Sequence, residues 1–321
     1  MISQKRSISL TNTKFILTFL IVWLHCHINP SFIEEVSEGY VFWEKFMQMI
    51  SDCAVPGFFA ISAFLYFRNF EFSRYRDKLS SRVKSLIVPF LVFSFLGLIL
   101  EIVMEFALEG GIKLSLIEML RSVFTREYNR PLWFLLVLFE FILITPAIKL
   151  YIQKYGKKGA LWGALLLFAI NLCLDKTTYV SLLYWLPLFL IFSYIGIAEK
   201  EGRTIVIPWY YGLFFVPIAL SYTYYGVEIG HNNAYYIYRI VAGISVFFLG
   251  SIFTWKPFSI EKFSMFVFCV HWLVNRILFF IPSKESMSFV KVLLVFTFCS
   301  ILAWILNKVT PKIYSTIIGS R

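Results

Sequence analysis

Lys14 and His25 stand eleven positions apart in the first long apolar stretch of the chain. On a helix turning about 100° per residue they fall within about 20° of one line, about 16 Å apart along the axis. Thr18 lies between them on nearly the same stripe. The stripe sets an ammonium near one boundary of the apolar stretch and an imidazole deep within it. An ammonium meets phosphate as a point charge. An imidazole titrates near neutral pH, so it takes a proton from a hydroxyl or attacks as a nucleophile. The pair suits a long, thin donor of acyl-CoA type, with phosphates at one end and a thioester at the other. The structural alternative is that Lys14 snorkels to headgroups and His25 bonds a neighbouring helix. His27 is rotated roughly 140–160° off the stripe.

Other polar residues interrupt apolar runs, where ionisable groups are costly and mark sites. Asp52 precedes Val55-Pro56-Gly57-Phe58-Phe59 and Ser62. It is placed to orient a histidine, to bind an acceptor hydroxyl, or to be solvated near the outer interface. A basic run follows, with Arg68, Arg74, Arg76, Lys78, Arg82 and Lys84. Lipid phosphate explains such a run, as does the positive-inside rule alone, and a cytoplasmic CoA phosphate site is the sharper reading. Arg130-Pro131-Leu132-Trp133-Phe134-Leu135 opens another apolar segment, in which Trp133 and Phe134 line an acceptor path or only pack. Glu140 is mid-segment and is expected to face a partner or a cavity. His271 and Asn275 share a helix face at mid-depth, followed by Arg276. Arg239 and Lys291 lie near segment ends, where long basic side chains reach headgroups.

The elements that must carry these residues follow from composition. The 321 residues are 59% hydrophobic, 20% aromatic and only 15% charged, against roughly 25% charged in soluble chains. That excludes a water-soluble globular domain, a disordered tail and a disulfide-stapled module. Five cysteines, an odd number with no C-x-x-C pair, read as small apolar packing residues. No Cys/His cluster has zinc-ligand spacing, so no metal is expected. The formal charge of +11 is spread between apolar runs, which points to a membrane and not to nucleic acid. Ten segments are apolar enough to span: 12–28, 48–67, 85–107, 131–152, 159–174, 180–198, 204–222, 235–253, 263–280 and 287–306. The expected fold is therefore all-α, a polytopic integral membrane bundle of about ten transmembrane helices, with 1–321 as a single domain. With the N-terminus inside, 18 Lys and Arg fall in inner segments and seven in outer loops. This asymmetry predicts cytoplasmic termini. Four of the seven lie at 108–130, where Ile112, Leu116, Met119 and Leu120 suggest a short amphipathic helix on the interface. No G-x-S-x-G elbow, Walker loop or H-E-x-x-H occurs, so a catalytic site must be assembled from several helices.

The order of these features resembles the acyltransferase 3 family of polytopic membrane acyltransferases. Lys14 and His25 match its basic-x10-His pattern. Residues 54–64, AVPGFFAISAF, are similar to its VPxFFxISGF stretch, with Ala63 in place of glycine. Residues 82–90, RVKSLIVPF, resemble the basic run leading to its IPY, although Ser85 interrupts the usual R-x-x-R. Leu132-Trp133-Phe134-Leu135 matches its LWFL. Ser264 to His271 resembles its late S-x-x-Y-x-x-H region, with Phe268 where tyrosine is common. The resemblance implies a stand-alone form without a soluble hydrolase-like domain. It implies transfer of acetyl from acetyl-CoA to a hydroxyl of a surface polysaccharide or lipid-linked sugar, at the plasma membrane and among its lipids. His25 is the implied base or acyl carrier, with Asp52 as a further catalytic candidate. Lys14, Arg82, Lys84 and Lys78 are implied CoA-phosphate ligands. Trp133, Phe134, Glu140 and His271 are acceptor-side candidates. Succinyl transfer, or a polysaccharide or lipid transporter without chemistry, remains open at this point.

Overall fold

The computed structural model describes residues 4–111, 114–174, 179–203, 205, 207–230, 232–257, 259–278 and 281–319. Ile112, Lys113, Lys176 and Arg321 lie outside the described residues. Among those described there are helices and no strands. In hydrocarbon every backbone polar group must be satisfied inside its own segment, which leaves the helix as the default. Among the described residues, seven helical stretches are long and apolar enough to cross a membrane. The protein is a multi-pass membrane bundle.

The first span is α1 (Gln4–Cys26). The second is broken into α2 (Glu38–Asp52) and α3 (Ala54–Arg68), with Cys53 between them. Pro56 explains the break, since it has no N–H to offer the carbonyl of Asp52. The third begins earlier than its apolar run. It starts as α4 (Tyr75–Arg82), widens into a π-helical turn at Val83–Ile87, and continues as α5 (Val88–Glu109). Pro89 likewise cannot bond the carbonyl of Ser85, and the ladder shifts so that Val88 N–H reaches the carbonyl of Val83. The expected amphipathic segment forms α6 (Leu116–Thr125), whose Leu116, Ile117, Leu120 and Phe124 are exposed. Its first turn is closed by a Ser115–Glu118 capping box.

The fourth and fifth segments run together as α7 (Trp133–Cys173) but are not one rod. Gly156 has φ 60° and ψ −149°, outside helical space and accessible to glycine at little cost. The chain folds back there. Tyr151 donates its hydroxyl to the carbonyl of Gly159 at 2.9 Å, and its ring reaches Gly163. After α8 (Leu182–Lys200), the seventh segment is only a 3-10 turn and the ten-residue α9 (Phe215–Tyr224). Next come α10 (Asn233–Leu249), the 14-residue α11 (Ser264–Ile277), α12 (Glu285–Val309) and α13 (Pro311–Ile317). Thus α9 and α11 are shorter than a full crossing, where the sequence reading drew complete spans.

The two described ends of the chain are each anchored to turns between the long helices. Arg6 and Arg68 both bridge Glu199, at 2.8 and 3.2 Å. Ser9 donates to the carbonyl of Gly250 at 2.6 Å, and Gly319 packs on the backbone of Lys84. We call this the basal end. At the other end Ser288 donates to Glu44 at 2.7 Å, and Asn233 donates to the carbonyl of Leu172 at 3.2 Å.

α3 packs extensively on α8, and glycine permits the approach. A Cβ on Gly196 would lie 2.5 Å from the carbonyl oxygen of Phe64 and 3.1 Å from the amide nitrogen of Arg68. Gly196→Val is expected to cost about 1–3 kcal/mol by overpacking, read as a lower melting temperature of detergent-purified protein. Gly39→Ala serves as control, because a methyl group there meets nothing within 4 Å. It should hold or raise stability, since alanine favours the helix.

Candidate functional site

Two cavities lie back to back along α1. The basal one, about 550 Å³, is lined by Lys14 and Thr18 of α1, Phe58 and Ser62 of α3, Phe134 of α7 and Phe268 of α11. The other, about 360 Å³, is lined by His25, Asp52, Trp133, Trp185, Arg239 and Trp272, with Ile229 and Gly230 from the far-end loop. The Lys14–His25 stripe therefore faces the interior along its whole length, with its ammonium in one cavity and its imidazole in the other.

Aromatic rings separate the two spaces. Trp133 and Phe134 are neighbours in sequence and point to opposite sides, Trp133 into the His25 cavity and Phe134 into the Lys14 cavity. Phe134 packs on Phe58 at 6.0 Å, on Phe59 at 4.7 Å and on Phe268 at 5.7 Å between ring centroids. Phe268 in turn lies 6.1 Å from His271.

His25 is held from α11. Its ring stacks on His271 at 5.4 Å and meets the edge of Trp272 at 5.7 Å. Asn275 donates to the backbone carbonyl of His25 at 3.1 Å. The Nδ1 of His271 lies 2.7 Å from the carbonyl of Phe268 and 3.2 Å from that of Val267. Carbonyls only accept, so Nδ1 carries the proton and Nε2 is left as an acceptor. Nε2 is buried without a partner among the described residues. His27, off the stripe, turns its Nδ1 to the carbonyl of Trp23 one turn back, at 2.9 Å.

Asp52 lines the same cavity as His25 but its carboxylate is engaged elsewhere. Arg239 Nε donates to Oδ2 at 2.5 Å and Nη2 to Oδ1 at 3.3 Å, while Nη1 reaches the hydroxyl of Tyr184 at 3.3 Å. The guanidinium also lies 4.6 Å above the ring of Tyr235. This corrects two expectations. Arg239 does not snorkel, being 8% exposed inside the bundle, and Asp52 is not solvated, being 4% exposed. The break at Cys53 is the physical reason, since it leaves Asp52 at a helix end within reach of α10.

The remaining expected residues divide. Of the four donor-side cations only Lys14 lines the basal cavity. Arg82 and Glu261 are the charges that act on Lys14, and Arg82 lies over the ring of Tyr66 at 5.7 Å. Lys78 sits over the rings of Tyr66 and Phe70, and Lys84 is exposed. Glu140 is exposed on the outside of the bundle and lines neither cavity. His271 joins His25.

A family profile described as an acyltransferase domain, acyltransferase 3, matches residues 7–308. The chain belongs to the acyltransferase 3 family. No match was found among curated proteins or among solved structures. The cavities of this acyltransferase also draw on residues that sequence reasoning passed over. Glu261 is 5% exposed and lines the Lys14 cavity, with neither carboxylate oxygen hydrogen-bonded among the described residues. It lies in a 3-10 turn outside every apolar run, so no periodicity marks it. Tyr179, Trp185 and Trp272 line the His25 cavity, and no charge or motif marks them in the sequence.

Breaking a buried ion pair from one side costs about 3–5 kcal/mol, whereas replacing both partners by apolar groups costs less. Asp52→Ala should therefore lower the melting temperature of the purified acyltransferase more than the double variant Asp52→Leu/Arg239→Met. Wild-type stability in Asp52→Ala would mean that water reaching through the cavity already solvates Arg239.

Proposed function

We propose that this acyltransferase moves an acetyl group from cytoplasmic acetyl-CoA to a hydroxyl of a cell-surface polysaccharide or lipid-linked sugar. It would sit in the plasma membrane with both termini in the cytoplasm. The single observation that carries this reading is the division of one α1 stripe between two cavities. Lys14 stands in the basal cavity and His25 in the far one, with a layer of rings between them.

In this reading the CoA phosphates meet Lys14 and Arg82 at the basal mouth, and the pantetheine arm runs along Thr18 and Phe58 to the ring layer. The acceptor enters the far cavity and presents its hydroxyl to His25. The imidazole takes the hydroxyl proton as the oxygen attacks the thioester carbon. The tetrahedral intermediate collapses, the carbon–sulfur bond breaks, and the thiolate of CoA recovers the proton from the imidazolium. His271, its Nδ1–H fixed on backbone carbonyls, stacks on His25 and holds the ring plane. Asp52 acts through Arg239, with which it walls the acceptor side. The far cavity is of a size for one sugar unit with its flanks open.

A general base contributes about 10²- to 10⁴-fold, so His25→Ala should reduce transfer by that much while expression and insertion are retained. His27→Ala, whose ring bonds its own helix, should remain near wild type. Mass spectrometry of surface glycan from cells carrying each variant reads the difference. Equal loss in both would count against the stripe.

Lys14→Ala should raise the KM for acetyl-CoA by roughly 10- to 150-fold with kcat little changed, as loss of one charge-assisted contact made equally in ground and transition states. Titrating acetyl-CoA and succinyl-CoA against purified protein measures this and the acyl preference together. A C-terminal reporter should be active only on the cytoplasmic side.

A further inference from the structure

Arg130 lines two cavities. One is the His25 cavity. The other, about 570 Å³, adjoins it, and Trp133 and Tyr179 also belong to both. The second cavity is walled by Arg121 of α6 and by Arg126, which ends that helix. Arg126 holds φ 54°, a left-handed conformation that L side chains rarely adopt. It stops α6 and turns the chain toward Arg130. Three guanidinium groups thus line one continuous approach to His25.

Their charge is only partly offset. Glu118 and Glu127 line the same approach, two carboxylates against three guanidinium groups, and Glu118 is also held by its own helix. Its Oε2 accepts from the amide and hydroxyl of Ser115, at 2.8 and 2.7 Å. Further in, Asp52 is closed on Arg239. Among the described residues, Arg121, Arg126 and Arg130 have no carboxylate within ion-pair distance. With the termini cytoplasmic, this cluster also runs against the charge rule that orients the rest of the chain, so insertion does not account for it. Guanidinium groups with no ion-pair partner around a concave mouth attract and hold anions, and their planar forks match phosphate and carboxylate. Trp133 and Tyr179 line the same space.

We propose that the acceptor is an anionic saccharide, whose phosphate or carboxylate is held by Arg121, Arg126 and Arg130 while a nearby hydroxyl reaches His25. This rests on the acyl-transfer reading and names the class of its acceptor. The anion belongs either to the glycan itself or to a lipid diphosphate linkage.

Binding to the purified full-length protein tests it with two matched pairs of probes: a glucuronic acid tetramer against a glucose tetramer, and farnesyl diphosphate against farnesol. The anionic member of at least one pair should bind roughly tenfold more tightly, the equivalent of one or two exposed charge contacts. The preference should shrink as salt is raised and vanish in Arg121→Gln/Arg126→Gln/Arg130→Gln. Preference within the tetramer pair assigns the anion to the glycan, and within the farnesyl pair to the lipid linkage. If the triple variant fails to fold, the three single variants are read instead, each expected to lose part of the preference. Equal binding within both pairs, or a preference that survives the substitutions, overturns the inference. Acetyl-CoA consumption by the same preparation separates the two readings. Consumption without charge preference overturns the acceptor class alone. Charge preference without consumption in the presence of any probe or cell-derived glycan overturns the transfer reading, and the acceptor assignment with it.

Discussion

The bidentate contact between Asp52 and Arg239 fixes the interior around which the other helices are arranged. Neither charge could be held inside the bundle alone, and each is tolerable only because the other is within hydrogen-bonding distance. The contact ties the broken second span to α10 at the depth where the far cavity begins. It also sets Tyr184 and Tyr235 around the guanidinium, Tyr184 as a hydrogen-bond partner and Tyr235 beneath it. On the other side of that break α3 is free to pack its small residues on α8, with Gly196 against the Phe64 carbonyl. A straight second span would carry Asp52 on a different heading and would close the space that His25 faces.

α1 is the second fixed element. It is pinned basally where Ser9 and Asn12 donate to the backbone of 250–255, and at the far end through Asn275 of α11. Both anchors use side chain to backbone bonds, which hold rotation as well as position. Rotation matters because Lys14 and His25 share a single line, and turning the helix by one residue's worth of angle would withdraw both from their cavities together.

Much of this was legible in the chain. Apolar run lengths gave the all-helical bundle, and the arithmetic of 3.6 residues per turn put Lys14 and His25 on one interior face. The amphipathic helix at 116–125 followed from its spacing. Pro56, which cannot bond the carbonyl of Asp52, is visible in the chain, but the full break at Cys53 is not. What escaped depended on partners distant in sequence. Arg239 looked like a snorkelling residue because its distance from a segment end was visible and its carboxylate, 187 positions away, was not. Glu140 was expected inside because a mid-span charge needs a partner; hydropathy gives depth along a span but not which face turns outward. Between the apolar runs 131–152 and 159–174 the sequence leaves room for a loop, and the chain folds back there with a single non-helical residue, Gly156.

The back-to-back cavities also shorten the electrical thickness of the membrane at this spot. Where water fills both, a transmembrane voltage no longer falls evenly across the hydrocarbon slab but across the layer of rings around Phe134. A unit charge crossing the full potential changes energy by about 2.3 kcal/mol per 100 mV. With both cavities hydrated, most of that change would be gathered into the layer beside the stacked imidazoles of His25 and His271, so an energised membrane and a collapsed one would present those rings with different fields.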